Sequence, residues 1–360
     1  MARIITITSG KGGVGKTGIS LNLSLALAAR GYRVCLFDAD LGLANVNILT
    51  GIYPKQDLSH VIDGQAGLKE IMIKDFQGID IIPGSSGVEK LANLTKEETR
   101  GLIRAFLSLD AYDYFIFDTS AGISSQVLSF CMASNEIILV ATCEPTAITD
   151  AYSMLKALSK NRYDSPVKVV INQVKTGKAA KQAFSQLKET VNRFLSVKLE
   201  PLGIVGWDKS VRMAVVSQTP FLLLFPDSLA AKCIQSMADK LVARPGQDMP
   251  LELFWDRCLS FIDAQPKEKE VKKDRANTPP ANSPAGTPPP SDTGEQTAKA
   301  IARIEKTLDT LVEEVAQIRT MLESERPPAD DTMNLPPLPS PPKPEKITLD
   351  FESWLMENKA

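Results

Sequence analysis

Histidine is almost missing from this 360-residue chain, which holds one copy, His60. The five cysteines, Cys35, Cys131, Cys143, Cys233 and Cys258, are scattered, with no Cys-x-x-Cys pair or other metal-ligand spacing. These shortages argue against a histidine base, a zinc site and an iron–sulfur cluster, and the thiols read as reduced structural side chains of a cytoplasmic protein. His60 lies in a polar stretch and reads as a surface residue. No run of eighteen apolar residues occurs, so no transmembrane helix is expected, and the first apolar strand follows Met1 too closely to leave room for a signal peptide. An excess of one charge is also lacking: 41 Lys and Arg against 43 Asp and Glu give a formal net charge of −2 and a pI of about 5.7. That balance argues against a general affinity for nucleic acid. Proline is scarce at first, with nine of the 24 before residue 251 and the other fifteen beyond residue 265, which marks a change of physical regime.

Behind the apolar run Ile4-Ile5-Thr6-Ile7 comes Gly10-x-x-x-x-Gly15-Lys16-Thr17, followed by a helical pattern through Leu21, Leu23, Leu25 and Leu27. Strand, glycine loop and helix in this order form a phosphate cradle. The glycines allow a tight turn that presents backbone N–H groups, and the helix beginning near Lys16 adds its positive end. Gly12, Gly13, Val14, Gly15, Lys16, Thr17 and Gly18 are therefore the candidate nucleotide contacts, with Lys16 reaching the β- and γ-phosphates and the Thr17 hydroxyl holding Mg²⁺. Lys11 is a second positive charge within the loop, where the cradle's own nucleotide has no need of it. Such a lysine can serve the nucleotide of a partner subunit.

Two further apolar runs end in carboxylates. Val34-Cys35-Leu36-Phe37 leads into Asp38-Ala39-Asp40, and Tyr114-Phe115-Ile116-Phe117 leads into Asp118. Carboxylates at the carboxyl ends of parallel strands stand where such sheets bind ligands. Strand-like runs ending near Thr8, Phe37, Ile82, Phe117, Val140 and Ile171 alternate with amphipathic stretches, and 43% hydrophobic residues suffice for one large core. The fold class that follows is α/β, a doubly wound, mostly parallel sheet covered on both faces by helices.

With Lys11 in place, the loop resembles the deviant phosphate loop of the MinD/ParA family of dimerising P-loop ATPases. The stretches Asp38-Ala39-Asp40-Leu41-Gly42-Leu43-Ala44-Asn45-Val46-Asn47, Asp118-Thr119-Ser120-Ala121-Gly122-Ile123 and Glu144-Pro145-Thr146-Ala147-Ile148-Thr149-Asp150-Ala151-Tyr152 are similar to its flagellar-number regulators of the FlhG or FleN type. The resemblance runs from about Ala2 to about Phe261. It implies a MinD-like ATPase domain and an ATP·Mg²⁺ sandwich homodimer in which Lys11 crosses the interface. Asp40 would orient the attacking water, Asp38 would lie near metal and water, Asp118 would hold Mg²⁺ through water, and Asn172 and Asp208 would contact adenine. The implied partners are a second copy, a flagellar placement GTPase of the FlhF type, flagellar switch proteins and a flagellar transcription activator. A cytoplasmic protein with peripheral contact at the membrane or cell pole is also implied. Gly18 replaces a hydroxyl or amide residue, Gln173 a frequent arginine, and Trp207 a proline. The amino-terminal activator segment of many FlhG proteins is not expected ahead of the first strand.

The expected division is an ATPase domain over 1–248, an amphipathic helix over 249–264, proline-rich linkers over 265–297 and 326–345, a coiled-coil helix over 298–325, and a docking motif over 346–360. In the amphipathic segment, Leu251, Phe254, Trp255, Cys258, Leu259 and Ile262 fall on one face, while Glu252, Asp256 and Asp263 make the other face acidic. Contact with lipid and packing on the ATPase domain both remain open. Ile301, Ile304, Leu308, Leu311, Val315, Ile318 and Leu322 are spaced 3, 4, 3, 4, 3, 4, a heptad seam for an unidentified partner helix. A rival to the switch follows: a positioning scaffold working through this helix and the terminal motif, with nucleotide mainly structural.

Overall fold

The computed structural model describes residues 1–40, 45–84, 95–109, 112–244 and 246–264. The expected linkers, coiled-coil helix and docking motif lie outside the described residues. The elements run β1 Arg3–Ser9, α1 Lys16–Ala28, β2 Val34–Ala39, α2 Asn45–Thr50, α3 Leu58–Ile62, α4 Leu68–Ile71, β3 Ile73–Phe76, β4 Ile79–Ile82, α5 Lys96–Leu107 and β5 Tyr114–Ala121. They continue as α6 Ser125–Ala133, β6 Glu136–Thr142, α7 Pro145–Lys160, β7 Val167–Val174, α8 Gly177–Phe194, β8 Leu199–Gly206, α9 Lys209–Val216, α10 Phe221–Leu224, α11 Leu229–Ala243 and α12 Leu251–Ala264.

The strands form one sheet in the order β3-β4-β2-β5-β1-β6-β7-β8, parallel except for the edge strand β3. Alternate residues serve opposite faces, as the pleat requires. Ile5, Ile7, Val34, Leu36 and Ile116 join a core with α1 and α11, whereas Ile4, Cys35, Phe37, Phe115 and Phe117 join one with α5, α6 and α12. Because both faces are covered, the central strands are buried on both sides and mostly apolar rather than alternating.

Helix α1 is buried on nearly all sides from Ile19 to Leu27, which explains leucines at every second position in a helix. β3 and β8 were not among the expected strands. β8, Leu199–Gly206, contains Pro201 and two glycines, residues that fit an edge strand but weaken its signature. His60 is half-buried and closes a capping box at the start of α3, its Nδ1 accepting the Asp57 N–H at 3.3 Å. It is therefore a capping residue as well as a surface one. Four cysteines are buried and Cys143 is partly so; all five are free thiols.

The amphipathic segment is α12, and its apolar face lies on the sheet. Phe254, Trp255 and Cys258 are buried, Phe254 stacks on Phe117 with ring centroids 4.4 Å apart, and Trp255 packs on Phe106 at 4.5 Å. Reciprocal backbone bonds of 3.0 Å between Ala2 and Met249 anchor the chain leading into it.

Candidate nucleotide-binding site

Residues at the carboxyl ends of β1, β2, β5, β7 and β8 converge on a cleft of about 770 Å³. Its lining includes Gly12 through Ile19 and Asp40, with Asn172 and Gln173 directly against the loop, and Trp207, Asp208, Val211, Arg212 and Phe221. At the loop end, Gly15 adopts φ 87° and precedes α1 with no side-chain cap. The first N–H groups of a buried helix are thus left without a side-chain acceptor, which an anion satisfies. Two close approaches depend on glycine. A Cβ on Gly10 would lie 2.1 Å from the carbonyl oxygen of Asp150, and one on Gly15 would lie 2.4 Å from Asn172 Nδ2. At Gly18 a Cβ would meet nothing within 4 Å, so no steric demand requires glycine there.

Lys16 is buried, although its residue type is ordinarily exposed. Its charge opposes the burial that raises the Asp118 carboxyl above the usual carboxylate range, and the Thr17 and Ser20 hydroxyls act in the same sense. Ser20 Oγ donates to Asp118 Oδ1 at 2.9 Å. The other oxygen, Asp118 Oδ2, is buried without a hydrogen-bond partner. Asp38 is the parallel neighbour of Asp118 in the β2–β5 register. Burial, reinforced by Asp118, pushes its carboxyl well above the ordinary range, while its oxygens accept the N–H groups of Asp40 at 3.2 Å and Val46 at 3.3 Å.

An orphaned carboxylate oxygen beside a raised, buried second carboxylate suits a divalent cation. Among the described residues no group of three or more His, Cys, Asp or Glu could hold a metal by itself. Thr17, Asp38 and Asp118 would therefore hold Mg²⁺ together with nucleotide oxygens and water, and the ion would supply charge neutralisation at the phosphates.

Lys11 points elsewhere. Its Nζ donates to Glu144 Oε2 at 2.8 Å and Thr146 Oγ1 at 2.9 Å, at the start of α7 in its own chain. Asn172 and Asp208 reach the cleft but are also engaged with the protein, Asn172 bracing the loop through Val14 and Asp208 capping α9. Residues that sequence reasoning missed are Ser20, four positions beyond Lys16, the pair Glu144 and Thr146, and the apolar far wall of Trp207, Val211 and Phe221. Trp207, beside Asp208, was the one legible signal among the last group.

A family model described as an AAA domain matches residues 2–194. The chain is 40% identical over 261 residues to the antiactivator FleN of Pseudomonas aeruginosa, covering 71% of this chain and 93% of that protein. It is 34% identical over 271 residues to the flagellum site-determining protein YlxH of Helicobacter pylori, covering 72% and 90%. Among solved structures, the septum site-determining protein MinD complexed with Mg-ADP from Pyrococcus horikoshii superposes with a TM-score of 0.54 at 26% identity, covering 67% of this chain and 96% of that one.

Proposed function

This chain belongs to the MinD/ParA family of ATPases, in the branch of the flagellar regulators FlhG and FleN, and we propose that it is an ATP-driven switch controlling flagellar number or placement. The observation that carries this reading is the uncapped start of α1 beside Lys16, facing Asp118 with its unpartnered oxygen. That pairing matches a polyphosphate with a bound cation and has no evident structural purpose otherwise.

In this account two subunits enclose two ATP·Mg²⁺, and Lys11 leaves Glu144 to meet the partner's phosphates. Lys16 and the loop N–H groups hold the β- and γ-phosphates, and Asp40, at the mouth of the cleft, orients the attacking water. Slow hydrolysis separates the subunits. Monomer and dimer present different surfaces, which a flagellar placement GTPase, switch proteins or a transcription activator read. Among the described residues no helix is long and apolar enough to cross a membrane.

The test is the solution mass of the full chain and of a chain ending near Pro266, with ADP and with ATP, beside Lys11→Ala and Asp40→Ala variants. The shorter chain removes the heptad segment, which could otherwise self-associate without nucleotide. A dimer formed only with ATP, lost in Lys11→Ala and prolonged in Asp40→Ala, is expected. A monomer under every condition would overturn the switch.

A further inference from the structure

Helix α9 turns a mixed apolar and basic face to solvent. Lys209, Arg212, Met213 and Val216 stand at spacings of 3, 1 and 3, one stripe of a helix, and all four are exposed, whereas Ala214 on the other side is buried. Val216 is 85% exposed and Met213 56%, so neither contributes to the core. The apolar surface continues onto neighbouring chain. α9 packs against α2, whose exposed Ile48 lines the cleft together with Val215. Beyond α2, Gly51 at φ 70° comes so near Gln218 that a Cβ would stand 3.3 Å from its side chain, and Gln218 Nε2 donates to the Tyr53 hydroxyl at 2.8 Å. Tyr53, 62% exposed, is thereby held beside the end of α9.

Apolar side chains scattered singly on a surface need no explanation, but a group linked through α2, α9 and Gln218 marks an interaction site. Cations rim it: Lys55, Lys209 and Arg212 are exposed, while Asp57 and Asp208, their near neighbours in the chain, are occupied in capping α3 and α9. A fitting occupant is therefore apolar and negatively charged. Residues 347–358, which lie outside the described residues, have that composition. Ile347, Phe351, Trp354 and Leu355 are spaced 4, 3 and 1, the carboxylates Asp350, Glu352 and Glu357 lie among or beside them, and the stretch holds no Lys or Arg. Between α12 and this segment run residues 265–346, 82 in number. A domain of this size is about 50 Å across, a distance that about fifteen extended residues cover, so the segment is long-tethered enough to meet α9 of its own chain.

We propose that the exposed face of α9, with Ile48 and Tyr53, is a docking surface for residues 347–358 of the same chain. Phe351 and Trp354 seat on Met213, Val216 and Tyr53, and the carboxylates face Lys55, Lys209 and Arg212. Tethering makes the encounter intramolecular, so a contact too weak to join two separate molecules is well populated within one. Because Ile48 and Val215 line the cleft, the seated segment borders the cleft mouth and competes with any partner that approaches this side of the domain. The docking itself does not depend on the ATPase reading.

The test is hydrogen exchange of the full chain, read at residues 45–56 and 209–218. The natural sequence is compared with Phe351→Ala/Trp354→Ala, Val216→Glu, Lys209→Glu, and Lys209→Glu combined with Asp350→Lys and Glu352→Lys. The natural chain should exchange about tenfold more slowly there than Phe351→Ala/Trp354→Ala, and equally so at about 1 and about 50 μM protein. Val216→Glu, at a site exposed enough to leave the fold intact, should show the same loss of protection at residues 45–56. Lys209→Glu should lose about threefold, and the charge swap should restore it. Exchange unchanged by Phe351→Ala/Trp354→Ala, or a Lys209→Glu loss that the swap leaves in place, would overturn the proposal. Protection that grows with protein concentration would give the surface to a second copy, and protection seen only with anionic vesicles would give it to lipid; either result overturns the docking within one chain.

Discussion

Lys11 Nζ lies 2.8 Å from Glu144 Oε2 of its own chain, so the loop lysine rests on α7 rather than projecting free. The hydrogen bond and charge of Lys11 hold the Glu144 carboxyl below its usual range. Both side chains are substantially exposed, and exposed ion pairs are weak and screened by salt. Such a contact restrains Lys11 without locking it. Glu144→Gln should raise the ATP-dependent dimer fraction severalfold at fixed concentration, as read by light scattering at low salt. A fraction that stays level or drops would show that the contact is no brake.

Gly15 and Gly18 differ in what a side chain would cost. Gly15→Ala forces an L residue to φ 87° and drives its Cβ into Asn172, at an expected loss of about 1–3 kcal/mol from strain. Denaturant melts should show that loss, together with a fall in nucleotide affinity. Gly18→Ser meets open space and should leave the melting midpoint within a degree or two while strengthening nucleotide binding through an added hydroxyl. Equal effects of the two substitutions would contradict the geometry.

The buried face of α12 bears on whether this helix reaches lipid. Phe254 has no exposure and stacks on Phe117, so Phe254→Ala should destabilise the fold by about 3–5 kcal/mol in urea. The polar face carries Glu252 and Asp256, which anionic vesicles repel. Hydrogen exchange across residues 251–264 should stay protected with ATP and with anionic vesicles added. Loss of protection under either condition would mean that the helix is released.

Glu136 accepts Arg3 and Lys168 in a buried network whose third anchor is the Leu241 carbonyl, 2.5 Å from Arg3 Nη1. Burial alone would raise its carboxyl, but the hydrogen bond from Arg3 and the charge of Lys168 prevail and lower it. A lowered folded-state pKa gives stability that is present above the unfolded value, about 4.3, and is lost as pH falls through the folded one. Glu136→Gln should therefore cost about 3–5 kcal/mol at pH 7, a cost that shrinks once the pH drops below about 4. Thermal melts of both proteins between pH 3 and pH 7 measure the difference, and a pH-independent gap would refute the assignment.

The sequence by itself determined whatever is local. Ile4 to Thr17 folds as strand, loop and helix because apolar run, glycines and helix formers follow one another directly, and the runs ending at Asp38 and Asp118 place carboxylates at strand ends for the same reason. Even α12 was legible from its spacing. Tertiary structure decided what those side chains do once assembled. Whether the apolar face of α12 met lipid or protein depended on Phe106, Phe117 and Phe130, far away in sequence, presenting a surface it fits. Lys11 found Glu144 across 133 positions, Asn172 found Val14 across 158, and Asp208 found the start of α11. A hydrogen bond depends on where donor and acceptor stand in space, and chain separation leaves no periodic trace of it, so composition and spacing revealed the cradle while packing alone determined which of its polar groups remain open to a ligand.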